Sequence, residues 1–153
     1  MKKILLIILI LGLAGTGYFL AKNNKTTQNI KEQKYSHENP AFSFSYTGDY
    51  KISSIADESG EAILVQSEEF QMQIYTAPFD EDIVLTEERI KQDVPDMAME
   101  NTNVFSLDDV NGVVFESEGM QNVWVVNDGF LYQISTYLNQ KEEMQKILDK
   151  WEW

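Results

Sequence analysis

The sequence predicts an α+β fold: a curved antiparallel β-sheet with helices packed on it, preceded by one N-terminal transmembrane helix. Three observations carry this. From Phe42 to Leu138 the dominant apolar period is two. Helical signals interrupt it in the middle and near the end. Ahead of both lies an uncharged apolar run, Ile4 to Ala21.

That run has 18 residues, which at 1.5 Å each span about 27 Å, the depth of a bilayer core. It follows the basic pair Lys2 and Lys3, so residues 1–21 are expected to be a signal anchor, with the bilayer as partner of residues 4–21. Lysine counting does not orient it, because two Lys precede the run and four follow. The very short basic tail does, placing the tail inside and the C-terminal domain outside, as a single-pass protein of the cell membrane. The alternative is a secreted protein after signal cleavage, but Gly15-Thr16-Gly17 is a poor small-x-small site. Residues 22–39 are polar, with Ile30 and Tyr35 the large apolar groups, and read as a flexible linker. The folded domain is then expected over 40–153.

Inside the domain, "FSFSYT" alternates Phe42, Phe44 and Tyr46 with small polar residues, the mark of a half-buried strand. Gly48-Asp49 is a turn, and "YKISSI", "AILVQS" and "FQMQIYT" are further strands, the last two joined tightly at Glu68-Glu69. Thr86 is an N-cap followed by Glu87 and Glu88, where the helix dipole favours acids, and Pro95 ends that helix. "VFSLDD" and "VVFESE" are expected to join around Asn111-Gly112, and "NVWVVN" and "FLYQISTYL" around Asp128-Gly129. Asn139 with Glu142 makes a capping box, and Met144, Ile147, Leu148 and Trp151 follow at helical spacing. "WEW" closes the chain as a short edge strand. The expected total is about eight strands with two helices.

Charge and composition exclude several classes. Residues 41–153 carry 23 acids against six basic residues, a net −17, while residues 1–40 carry +4. A domain this acidic is repelled by phosphate backbones, so no nucleic-acid partner is expected. The chain has no Cys, which removes disulfides, thiol nucleophiles and Cys-based zinc sites. Its single His, His37, falls in the linker, where nothing would hold it as a catalytic base. There is no G-x-S-x-G elbow and no glycine-rich phosphate loop. Acid pairs are plentiful (Asp57/Glu58/Glu61, Asp80/Glu81/Asp82, Asp108/Asp109, Glu116/Glu118), but none fits the twelve-residue calcium loop. Catalytic, cofactor-binding and metal residues are therefore expected to be none.

Five pieces in order, "HENPAFSFSYTGDY", "SGEAILVQ", "VNGVVFES", "VWVVNDGFLYQISTY" and "ILDKWEW", resemble the PsbP-like family of bacterial exported proteins. The resemblance covers most of residues 37–153. It implies a PsbP-like α/β/α sandwich, and a binding or assembly role rather than catalysis. Bacterial members are often lipoproteins; here Thr16 stands where a lipid-bearing Cys would follow "LAG". Nothing carries over manganese or chloride chemistry.

The expected function is a membrane-tethered extracytoplasmic binding module with a protein partner in the cell envelope. The alternatives are an envelope hydrolase or carbohydrate-active protein using paired carboxylates, or a calcium-binding surface domain. Exposed aromatics are the candidate partner surface: Tyr137 first, with Trp124 and Trp153. Along "FLYQISTYL", Phe130, Tyr132, Ile134 and Leu138 are expected to face the core. The other parity, ending at Tyr137, is mixed, as on a strand partly covered by a helix, so these aromatics read mainly as core, and a partner recognised by this stretch would meet that second parity.

Overall fold

The computed structural model describes residues 31–153. The apolar run at 4–21 and the linker residues 22–30 lie outside the described residues. Those described form ten strands and two helices: β1 (Glu32–Glu38), β2 (Ala41–Thr47), β3 (Lys51–Ala56), β4 (Glu61–Gln66), β5 (Gln71–Pro78), α1 (Glu87–Asp93), β6 (Glu100–Leu107), β7 (Val110–Ser117), β8 (Met120–Asn127), β9 (Phe130–Tyr137), α2 (Lys141–Leu148) and β10 (Trp151–Glu152). Seven strands make one antiparallel sheet in the order β3-β4-β5-β9-β8-β7-β6, and β1-β2-β10 make a second.

The alternating residues set the layers. Ile63, Val65, Met72, Ile74, Val123, Val125, Tyr132 and Ile134 point to one face of the large sheet, where they meet Phe42 and Phe44 of β2, Met144, Ile147 and Leu148 of α2, and Trp151. The covering layer is thus part sheet and part helix. Phe42 stacks on Trp151 with ring centroids 4.6 Å apart and planes 4° apart. The opposite face is covered over β7, β8 and β9, where Leu85 and Ile90 pack on Val113, Phe115, Trp124, Val126 and Leu131.

Four expectations are corrected. Residues 32–38, assigned to the linker, are strand β1, paired with β2 from Glu32↔Thr47 to Glu38↔Ala41. Their alternation is weak because β1 lies at the edge of the small sheet and only Tyr35 and His37 turn inward. The folded unit therefore begins before Pro40. Second, β6 and β7 join at Asp108-Asp109, not Asn111-Gly112. Gly112 lies inside β7, and a Cβ there would fall 2.2 Å from the Trp124 carbonyl oxygen. Close approach, not a turn, selects that glycine. Third, Asn139 and Glu142 form no capping box. A 3₁₀ turn over Leu138–Gln140 precedes α2, whose N-cap is Gln140 with no side-chain cap bond. Instead the Gln140 amide ties the β4–β5 hairpin, accepting from Gln71 N at 3.0 Å and donating to Glu69 O at 2.9 Å. Fourth, Trp151 does not continue the helical stripe of α2; it opens β10, the short edge strand expected of "WEW".

The remaining local signals act as expected. Thr86 Oγ1 accepts from Arg89 N at 3.3 Å, capping α1, which ends ahead of Pro95. Asp128 (φ 48°) and Gly129 (φ 77°) make the two-residue β8–β9 turn. The β7–β8 turn, at Glu118 (φ 52°) and Gly119 (φ 78°), is not among the expected turns.

Candidate functional site

The three candidate aromatics separate. Trp124 is only 4% exposed, under α1 and edge-on to Phe115 at 5.5 Å. It is core, because the face of β8 that it shares is the face α1 covers. Trp153 is half-buried: its ring lies 4.9 Å from Tyr132 and 5.5 Å from Trp151, and its Nε1–H donates to Leu107 O at 3.1 Å. Tyr137 is 42% exposed, at the end of β9.

Along β9 the two parities diverge as the alternation requires. Tyr132 and Ile134 are fully buried, with Thr136, whose hydroxyl donates to Gln71 O at 2.7 Å; Leu138 lies beyond the strand and is half-buried. Burial pushes the Tyr132 hydroxyl well above its ordinary pKa, and the nearby Asp128 charge adds to that. On the other parity Leu131 packs under α1, whereas Gln133, Ser135 and Tyr137 belong to neither core cluster.

Those three lie on an open face that runs over five strands. One row reads Ser53–Leu64–Gln73–Ser135–Asn122 from β3 to β8. The next reads Ile55–Ala62–Tyr75–Gln133, and continues to the covered Trp124. On the other side lie Lys51, Gln66 and Gln71, then Tyr137 opposite Met120. At standard spacings the face measures roughly 20 Å across and 13 Å along the strands. Among the described residues its only charge is Lys51, and it holds no carboxylate, although 24% of the chain is charged. A solvated sheet face drawn from that composition would carry about three charges in fourteen positions. The signal in the sequence is the polar half of "QMQIY" and "YQIS", uncharged at each outward position. Joining the strands into one face needed the strand order.

His37 is held, contrary to the expectation for a linker residue. Its Nδ1 lies 2.8 Å from Pro40 O, and its Nε2 lies 3.0 Å from Glu61 Oε2. Its ring stacks on Phe42 at 5.1 Å. Strand β1 causes this, because it sets His37 opposite Phe42 and beside the start of β4. Both ring nitrogens are engaged, so neither is left to activate a nucleophile. Burial, and then the Glu61 charge, raise the Tyr35 hydroxyl above its ordinary value.

The acid clusters serve the fold in the same way. Asp57 Oδ1 accepts from Ser59 N, Ser59 Oγ and Gly60 N, closing the β3–β4 turn, and these bonds hold its carboxyl below the usual range. Glu81 pairs with Arg89 at 2.9 Å, and Glu116 accepts from Asn101 Nδ2 at 2.8 Å. Glu143 accepts from Tyr50 OH and pairs with Lys146, each at 2.7 Å; these partners hold its carboxyl low, Lys146 first. Among the described residues no group of three or more His, Asp or Glu is placed to hold a metal ion.

No protein-family model matches the sequence, and no curated protein does. Among solved structures, the chain is similar to the solution structure of cyanobacterial PsbP (CyanoP) from Synechocystis sp. PCC 6803. The TM-score is 0.55 at 10% identity, over 87% of this chain and 98% of that one. The fold is PsbP-like. At that identity the likeness speaks for the fold alone, and it agrees with the family that the strand motifs resemble. In PsbP-like terms, the open face is the side of the large sheet away from α2 and the small sheet.

Proposed function

We propose that this chain is a membrane-tethered, extracytoplasmic binding or assembly module of the PsbP-like kind, without catalysis of its own. The observation that carries the reading is the uncharged open face of β3, β4, β5, β9 and β8. In a domain of net −17 over residues 41–153, it is where a protein partner meets amides, hydroxyls and tyrosine rings without having to neutralise carboxylates. The apolar run at 4–21 supports the tether, and the basic tail supports the orientation. A C-terminal reporter fusion active only in the cytoplasm would overturn that orientation.

The partner test is crosslinking and pull-down from native membranes with the full chain, comparing wild type with Tyr137→Ala. Tyr137 is the most exposed large aromatic on the face. Its truncation is expected to cut partner recovery about tenfold, as an interface anchor does, with little change in melting temperature. A variant that keeps both its stability and its partner ends the assignment of Tyr137 to the interface.

A further inference from the structure

The sheets have four free edges among the described residues, and they are not alike. β10 is two residues long. β1 carries Glu32, Lys34 and Glu38. β6 is broken by a register shift between Glu100 and Asn103, with Asn101 at φ 52°. Charges, bulges and shortness are the usual protections of a sheet edge against another strand. β3 has little of this. It pairs with β4 without a shift from Lys51↔Gln66 to Ala56↔Glu61, contains no proline, and has one charge, at its first residue. Ile55 on it is 77% exposed.

Which backbone groups of β3 face outward follows from the turn that ends it. Asp57 N donates to Gly60 O at 2.9 Å, so residue 57 points its N–H at β4. Alternation then turns Ile55, Ser53 and Lys51 toward β4, and Ala56, Ser54 and Ile52 outward. Within the sheet, three N–H and three C=O groups are left for another strand.

We infer that β3 pairs antiparallel with β3 of a second copy, about a two-fold axis through Ser54. A two-fold axis perpendicular to the sheet requires opposed residues to share a face, which limits the registers. Centring on Ser54 sets Ser54 against Ser54 of the second copy, and Ile52 against its Ala56. All outward groups are then used, in six N–H···O bonds. Lys51 falls opposite Asp57 of the second copy at the closer, non-hydrogen-bonded spacing of about 4.5 Å. The turn bonds of Asp57 all fall on Oδ1, which leaves Oδ2 for that lysine. Centring on Ser53 makes only four bonds within β3, sets Ala56 against Tyr50 ahead of the strand, and sets Lys51 against Ile55. Hydrogen bonding and charge therefore select the same register. The product is one continuous fourteen-stranded sheet that doubles the open face. Both copies of β1 stay on the same side of it, as two chains tethered to one bilayer require. One strand pair buries less than the roughly 1,200 Å² of a standard interface, so the dimer is reversible and weak.

The test is sedimentation equilibrium of the full chain in mild detergent. A monomer–dimer equilibrium with a Kd in the micromolar-to-millimolar range is expected. Ser54→Pro removes an outward N–H and leaves the bonds to β4 alone, so it is expected to weaken the dimer at least tenfold. Lys51→Glu sets like charges against Asp57 twice and is expected to weaken it about tenfold. Circular dichroism checks that each variant is folded; if Ser54→Pro is not, Lys51→Glu decides. The chain has no Cys, so a nitroxide on Ser54→Cys reports the axis directly through strong dipolar broadening. A chain monomeric up to about 1 mM overturns the inference, as does a dimer indifferent to both folded variants or one without that broadening.

Discussion

Strand β9 offers a controlled comparison, because its two faces share one backbone and alternate residue by residue. Tyr132 and Ile134 enter the main core, under Phe42 and Trp151 or beside them. Gln133 and Ser135, one step away, stand on the open face. The two faces meet different physical demands. The core face is fixed by volume and dryness, which Leu, Ile, Phe and Tyr satisfy. The open face is under no packing demand, and would ordinarily take the Lys and Glu of a solvated sheet. It has Gln, Ser, Asn and Tyr instead, and that choice needs a reason outside the fold.

The largest break in this comparison is Ile134→Lys. Ile134 is fully buried, opposite Ile74 and Val123. An ammonium there has no partner, and the expected loss is more than about 4 kcal/mol, enough to unfold much of the population. Urea unfolding measures it. A loss below about 1 kcal/mol would mean that the core face is not dry, and the comparison would collapse.

Much of this was legible in the sequence, and the failures have physical causes. Strands β2 and β5 alternate because each buries one face against the main core, so their parity could be read directly, whereas β8 and β9 are buried on both faces where α1 covers them. Strand β1 escaped because it lies at an edge and offers only Tyr35 and His37 to the interior. With it went the setting of His37, whose partner Glu61 is 24 residues away. Gly112 misled because a glycine that permits close backbone approach looks the same as one that makes a turn. In the sequence Trp124 reads both as core and as candidate surface, because single-strand parity cannot tell which side of a two-sided sheet a helix covers; the structure places it in the core. Tyr137 was placed on the open parity of its strand, yet the face itself could not be seen. It is assembled from β3, β4, β5, β9 and β8, and only the strand order brings their uncharged positions together.

On the side of the large sheet that α2 covers, one carboxylate couples stability to pH. Glu143 of α2 accepts from Tyr50 and pairs with Lys146, and its pKa is lowered in the folded state. A depressed carboxyl contributes stability that is present above its unfolded pKa, near 4.5, and is lost as pH falls through the lower folded value. Thermal melts of wild type and Glu143→Gln between pH 7 and pH 3 isolate the contribution. The wild type is expected to lose about 3 °C more than the variant over that range, because the amide that replaces the carboxylate has no charge to lose. Equal losses would show that Glu143 is solvated rather than engaged.

The smallest expected effect is the most informative. Ser135→Lys changes the residue next to Ile134 and introduces the same charge, but on the other face, in the row Ser53–Leu64–Gln73–Ser135–Asn122. No described element packs there, so the ammonium reaches water and the stability change is expected to stay within about 0.5 kcal/mol. Two neighbouring lysines would then differ by more than about 3 kcal/mol, through parity alone. The same variant is expected to weaken partner capture, because a desolvated lysine at the centre of an uncharged interface has nothing to pair with. A loss above about 1 kcal/mol in unfolding would mean that the face is packed, and residues 1–30 would be the first place to look for what covers it. Unchanged stability with unchanged partner recovery would make the absence of charge on this face a feature of solubility, not of recognition.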